Sequence, residues 1–300
     1  MRLRGMWRAG LCALLLVAGC QRTPAPAPAV AASEPAAAIQ RLARHLHDND
    51  LVGFARDAVP PAEYASLEIA WREGRSRWPL TELPLDEQLE PLLATLSAPG
   101  AERSLQQGFK RNFANQNKDL RDAARSLGSF GVQYVKREGV YTTEERAHYA
   151  QVITALSEWG AQAPLGDPKH GATAISKLTA AARRTGLSSE QGLREAGMTE
   201  SLRRLGPFFA QAKATLASYG LPLDRSFSEL RTELVEQKDD QARVRLHYPL
   251  GKREIDTVVS LQRRDGHWYL VEHLHHAEQA LAVPAGESPE AADPAPTKPK

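Results

Sequence analysis

Residues 230–270 constrain the fold most, because apolar side chains recur there at every second position between two turn signals. Asp265-Gly266 is a strong two-residue hairpin signal. It pairs Arg263 with Trp268, Leu261 with Leu270 and Val259 with Glu272. A second hairpin, turning at Leu250-Gly251, pairs His247 with Glu254, Leu246 with Ile255 and Arg245 with Asp256. Both registers set Ala242, Val244, Leu246, Ile255, Thr257, Val259, Leu261, Trp268 and Leu270 on one face. Leu230, Thr232 and Leu234 share that face only if the loop around Asp239-Asp240-Gln241 is odd in length, which predicts a bulge there. Trp268 then points inward beside Arg263, Tyr269 points outward opposite Gln262, and Glu272 has core-facing parity. The pattern describes a four-stranded antiparallel sheet, entered from a helix through Phe208, Phe209, Ala212, Leu216 and Tyr219 that stops at Gly220.

Upstream the apolar period changes to that of a helix. Ile39, Leu42 and Leu46 share one face, with Asp48 or Asn49 able to cap the next short segment. Pro60-Pro61 opens a helix through Tyr64, Leu67 and Trp71, and others read through Leu85–Leu96, Leu105–Phe113 and Leu120, Ala124 and Leu127. Thr142-Thr143-Glu144-Glu145 is a capping box, and Asp167-Pro168 starts a helix that Gly186 stops. The expected fold class is α+β: a helical bundle of six to eight helices over 37–205, then a helix plus four-stranded antiparallel sheet over 206–281.

Both ends of the chain differ from this folded part. Arg2, Arg4 and Arg8 precede an apolar run from Ala9 to Ala18, the pattern of an export signal too short to remain as a spanning helix. The run ends in Val17-Ala18-Gly19-Cys20, which resembles the lipobox of bacterial lipoproteins. That resemblance implies cleavage after residue 19, acylation of Cys20 as the first mature residue, and attachment to a membrane through the lipid. Gln21 stands where the family's inner-membrane retention signal, typically Asp, would be, so the resemblance implies the outer membrane, facing the periplasm. Only two cysteines occur, Cys12 and Cys20, so the mature fold is expected to have no disulfide and no thiolate chemistry. Alternating prolines from Pro24 to Pro28 favour extended polyproline II, making residues 20–36 a tether that at ~3.1 Å per residue reaches up to roughly 50 Å. Residues 282–300, rich in proline and poor in apolar side chains, read as a disordered tail.

Residues 206–276 are similar to the small curved-sheet domains of the cystatin-like and nuclear-transport-factor-like type, through one helix, a four-stranded meander and the closing Arg264-Asp265-Gly266-His267-Trp268-Tyr269-Leu270. Such domains serve many functions, so the resemblance implies a fold and no reaction.

Charge excludes one class. Without the export signal the chain carries 35 basic against 36 acidic side chains, and residues 37–281 carry 32 of each. A chain with no excess of positive charge is not built to hold nucleic acid. No G-x-S-x-G, S-x-x-K, HExxH, EF-hand or C-x-x-C pattern is present. His45-Leu46-His47-Asp48-Asn49-Asp50 fits no metal-ligand spacing and reads as a solvated helix end. The best cluster is His267, Glu272, His273, His275 and His276, with His247 on a nearby strand. Imidazoles beside a carboxylate suit zinc, and His273 and His276 would share a helical face at i, i+3, so Glu272, His273, His276 and His267 are the candidate metal ligands.

Three readings follow. The first is a non-catalytic envelope lipoprotein holding a periplasmic protein or a small ligand in the concavity of the sheet, with no cofactor. The second is a metal-dependent envelope hydrolase using the histidine cluster. The third is a periplasmic inhibitor or immunity-type protein.

Overall fold

The helix boundaries follow signals that the sequence carries. In the computed structural model, which describes residues 34–82, 88–137 and 142–282, eleven helices precede the sheet and one follows it. They are α1 (Pro35–Asp48), α2 (Leu51–Ala58), α3 (Pro61–Arg72), α4 (Leu89–Ser97), α5 (Ala101–Asn112), α6 (Asn117–Arg137), α7 (Thr143–Gly160), α8 (Pro168–Thr185), α9 (Glu190–Ala196), α10 (Met198–Ser218), α11 (Leu223–Ser228) and, last in the chain, α12 (Val271–Ala282). The expected export signal, the lipid site Cys20, the tether as far as residue 33, Leu85 and the tail beyond Ala282 lie outside the described residues.

Thr142 and Glu145 exchange the two hydrogen bonds of a capping box at the start of α7. Asp167 caps α8 by accepting from the His170 N–H at 2.8 Å, and Gly186, at φ +64°, ends it. The cap of α2 is Asp50, not Asp48 or Asn49. Asn49 instead closes α1 in the left-handed region. Nine described helices fill the span in which six to eight were expected. The short segment expected after α1 is α2, and the extra helix is α9, seven residues long and too short for an apolar period to separate from its neighbours. The expected inward face of α6 also needs correction, because Leu127 is 69% exposed.

The sheet is an antiparallel meander of β1 (Arg231–Lys238), β2 (Gln241–Leu250), β3 (Arg253–Arg264) and β4 (His267–Leu270), in sequence order. Arg263 pairs with Trp268 and Leu261 with Leu270, as the Asp265-Gly266 signal predicts. The β2–β3 hairpin turns at Gly251-Lys252, so His247 pairs with Asp256 and Leu246 with Thr257, two residues from the expected register. Gly251, at φ +61°, takes the first central position of the turn, where a lone positive φ belongs. A slip of two preserves parity, so the predicted inward face survives. The bulge in β1 falls at Val235, between Leu234 and Glu236, because Asp239-Asp240 already makes a tight two-residue turn. The Val259–Glu272 pair does not form: β4 ends at Leu270 and Glu272 lies in α12.

The faces of the sheet are packed unevenly. Ala38 and Ile39 of α1 join Ala242, Val244, Leu261 and Trp268 in one cluster. Ala155 of α7 joins Leu221, Leu250 and Ile255 in another, at the far end of the same face. Since β4 is short, one edge of β3 is open, and Gln151 of α7 pairs with it: its amide donates to the Asp256 carbonyl at 2.8 Å and accepts from the Asp256 N–H at 3.1 Å. The largest core lies among the helices, around Leu67, Trp71, Trp78, Leu93, Leu187 and Leu202, and α12 returns to it through Ala277. The expected boundary near residue 205 falls inside α10, which runs unbroken.

Tyr269 is buried, at 3% exposure, against the expectation that it faces outward. Its pairing with Gln262 is as predicted. α2 and α12 both pack near β4, and burial, followed by the carboxylates of Asp265, Asp57 and Glu63, pushes the phenol pKa up. Alternation gives the side of the sheet but not what covers it.

Candidate functional site

Ile39, Leu42 and Leu46 recur on one face of α1, and Leu202, Leu205 and Phe209 do so on α10. α1 packs on the inward side of the sheet through Ala38 and Ile39, and past that contact a gap is left beside Leu246 and Leu270. That gap is a cavity of about 570 Å³ with a mainly aliphatic and aromatic wall. That volume is in the range of ordinary small-molecule sites, ~300–1,000 Å³.

The wall is locked on the α10 side by Lys213, which is 2% exposed. Its ammonium donates to the carbonyls of Leu46 (2.8 Å) and His47 (2.7 Å) at the end of α1, and pairs with Asp224 of α11. It also lies 5.1 Å and 5.6 Å from the ring centres of Phe209 and Phe227, both of which line the cavity.

Polar groups enter the wall from α7, β2, α12 and the 3₁₀ turn Leu80–Glu82. His148 Nε2 and the Tyr248 hydroxyl are 2.7 Å apart. Burial lowers the His148 pKa, an effect the Glu272 carboxylate opposes, and burial raises the Tyr248 pKa. The Tyr149 hydroxyl donates to Glu272 Oε1 at 3.0 Å. Glu82 accepts from the Trp78 indole N–H at 2.7 Å and contacts His276 Nδ1 at 3.0 Å, a hydrogen bond that raises the His276 pKa. The His273 ring meets Phe54 edge-on at 5.5 Å, and its Nδ1 is buried without a hydrogen-bond partner. Burial lowers its pKa.

Two of the four candidate metal ligands, Glu272 and His273, therefore line the cavity. His276 lies on the same helix as expected but is joined to Glu82, and His267 opens β4 opposite Arg264 at the hairpin. Among the described residues no group of three or more His, Cys, Asp or Glu is placed to hold a metal ion. The His45 motif is tied up locally: His45 bridges Asp50 at 3.1 Å and the buried Asp57 at 3.0 Å. Sequence reasoning missed Glu82, His148, Tyr149 and Tyr248 as wall residues. Tyr248 was within reach of it, since it shares the inward parity of Leu246, whereas Glu82 and His148 come into range only through packing.

No family model, curated protein or solved structure matches this chain. No helix among the described residues is long and apolar enough to cross a membrane.

Proposed function

We propose that this is a lipid-anchored binding protein of the bacterial envelope, held to the outer membrane through Cys20 and facing the periplasm, whose cavity takes an apolar small molecule. The cavity itself carries the reading: an apolar space of about 570 Å³ lined by α1, α10, α12 and the sheet, with a few polar groups placed in its wall. The lipobox-like sequence ending at Cys20 supports the anchor. The balanced charge of residues 37–281 fits a ligand that is not a polyanion.

The test is titration of the full mature chain, carrying Cys20→Ala so that no acyl chain of its own competes, with the uncharged fluorophore phenylnaphthylamine. One saturable site per chain is expected, and Ala212→Phe and Leu246→Trp, which fill the space from opposite walls, should each abolish it. Saturable binding that neither variant weakens would place the site elsewhere and overturn the reading.

A further inference from the structure

α6 divides its surface between two stripes. Ala124, Gly128 and Gly131 are small because α7 lies on them: a side chain at Gly128 would collide with Ser157, Gly131 faces Ile153, and Gly160 of α7 sits over Ala124. Of the 21 residues in α6 only Gly128 and Val135 are buried, and α7 is its main neighbour. The second stripe is apolar and largely open. Leu120, Ala123, Leu127, Phe130 and Tyr134 recur at alternating steps of three and four, the period of a seam between two paired helices. Leu127 and Phe130 are each 69% exposed and Tyr134 is 49% exposed, with the Phe130 and Tyr134 rings stacked on each other at 6.3 Å. These two rings alone leave roughly 200 Å² in water, and Leu127 adjoins them on the same face. A contiguous apolar patch on that scale marks an interaction surface.

The charges at the two ends of the stripe point to what covers it. Asp119 precedes Leu120 where the stripe starts, and Arg137, three residues after Tyr134, continues it. They stand about five turns, or about 27 Å, apart on the same side of the helix. Both are exposed, and neither has an ion-pair partner among the described residues. Lys118, Asp122 and Arg125 instead pair among themselves, away from the stripe. A second copy of α6 laid antiparallel on the first, about a twofold axis near Leu127, brings each Asp119 toward the other copy's Arg137. It also sets Leu120 against Tyr134 and Leu127 against itself. A parallel pair would set Asp119 against Asp119 and Arg137 against Arg137. We propose that the Leu127, Phe130 and Tyr134 face of α6 pairs antiparallel with the same face of a second copy of this chain, forming a twofold dimer. The pairing is independent of the cavity, whose described wall takes no residue from α6. One pair of helices buries less than the ~1,200 Å² of a standard-size interface, so the dimer is expected in the micromolar range.

Sedimentation equilibrium of the full mature chain carrying Cys20→Ala, from low to high micromolar concentration, tests this. A concentration-dependent rise to twice the monomer mass is expected. Leu127→Asp and Phe130→Asp change exposed positions, so both should match wild type in circular dichroism and urea midpoint, yet each should weaken the dimer at least about tenfold. Asp119→Arg should weaken it about tenfold, because two attractions become two repulsions, and the double variant Asp119→Arg/Arg137→Asp should restore it. A parallel pair would feel neither change. A chain that stays monomeric throughout, or a dimer that both aspartate variants leave intact, would overturn the proposal. Asp119→Arg without effect would overturn the antiparallel arrangement. A monomer that instead floats with phosphatidylglycerol-containing vesicles, and no longer does so as Phe130→Asp, would assign the face to a lipid surface and overturn the dimer as well.

Discussion

The imidazole of His148 on α7 and the phenol of Tyr248 on β2 meet at 2.7 Å, joining a helix to the inward face of the sheet at the cavity wall. Burial keeps this imidazole neutral by lowering its pKa from 6.5, so its contribution to stability is full above that value and is lost as pH falls through the folded pKa. His273 follows the same sign, also through burial. His45 and His276 have the opposite sign: the hydrogen bonds to Asp57 and Glu82 raise their pKa values, so their contribution is full below 6.5 and is lost as pH rises through the folded values. Histidine proton NMR should therefore show His148 and His273 titrating below 6.5 and His45 and His276 above it, with each signal assigned by a His→Gln variant. His148 titrating above 6.5 would contradict its burial.

The two aromatic neighbours in β4 should be comparably important. Trp268 is 2% exposed in the cluster with α1, with the Arg263 guanidinium 5.7 Å from its ring centre, and Tyr269 is 3% exposed on the opposite face. Trp268→Ala and Tyr269→Ala should each cost about 3–5 kcal/mol in urea denaturation, the usual cost of deleting a buried aromatic. A loss below ~1 kcal/mol for Tyr269→Ala would contradict its burial.

Lys213→Met keeps the length and apolar stem of the side chain and removes its charge. The carbonyls of Leu46 and His47 then lose their short charged donor, while Asp224, half exposed, is left to water. The expected loss is about 2–3 kcal/mol, since hydrogen bonds to a charged group contribute roughly 1.5–3 kcal/mol each, and what remains to the two carbonyls is the long contacts from the Asn49 N–H to Leu46 (3.4 Å) and from the Asn49 amide to His47 (3.5 Å). Chemical denaturation measures it. Hydrogen exchange should also speed up at the C-terminal turn of α1, because Lys213 is what fastens that turn to α10.

Acylation at Cys20 is checked in cells. A clickable fatty acid should label the wild-type chain, and Cys20→Ala should abolish the label and release the protein from the membrane fraction. A label that persists on the variant would remove the lipid anchor from the proposed function.

The capping residues Thr142, Asp167 and Gly186 were legible because a cap acts within one turn of its helix, so its spacing alone identifies it. The inward face of the sheet was legible for a related reason: parity is preserved when a turn slips by two, which is why Ala242, Val244 and Leu261 are buried even though the β2–β3 register differs from expectation. Local order of this kind depends on neighbours a few residues away.

The same reasoning could not place Tyr269 or assemble the cavity wall. Its inward-facing Leu246 and Tyr248 were readable as a strand face, but the space before them exists only because α1 and α10, about 150 residues of chain apart, leave the sheet uncovered there. Glu82 and His276 pair across 194 residues of chain, and Tyr149 and Glu272 across 123. The sequence by itself determined most of the elements, the caps at Thr142, Asp167 and Gly186 and the inward parity of the sheet, because these follow from short-range sterics and periodicity. Only the tertiary structure decided which faces close on one another, which one stays open as a cavity, and which polar side chains share its wall, because contacts between distant segments are set by packing and not by spacing along the chain.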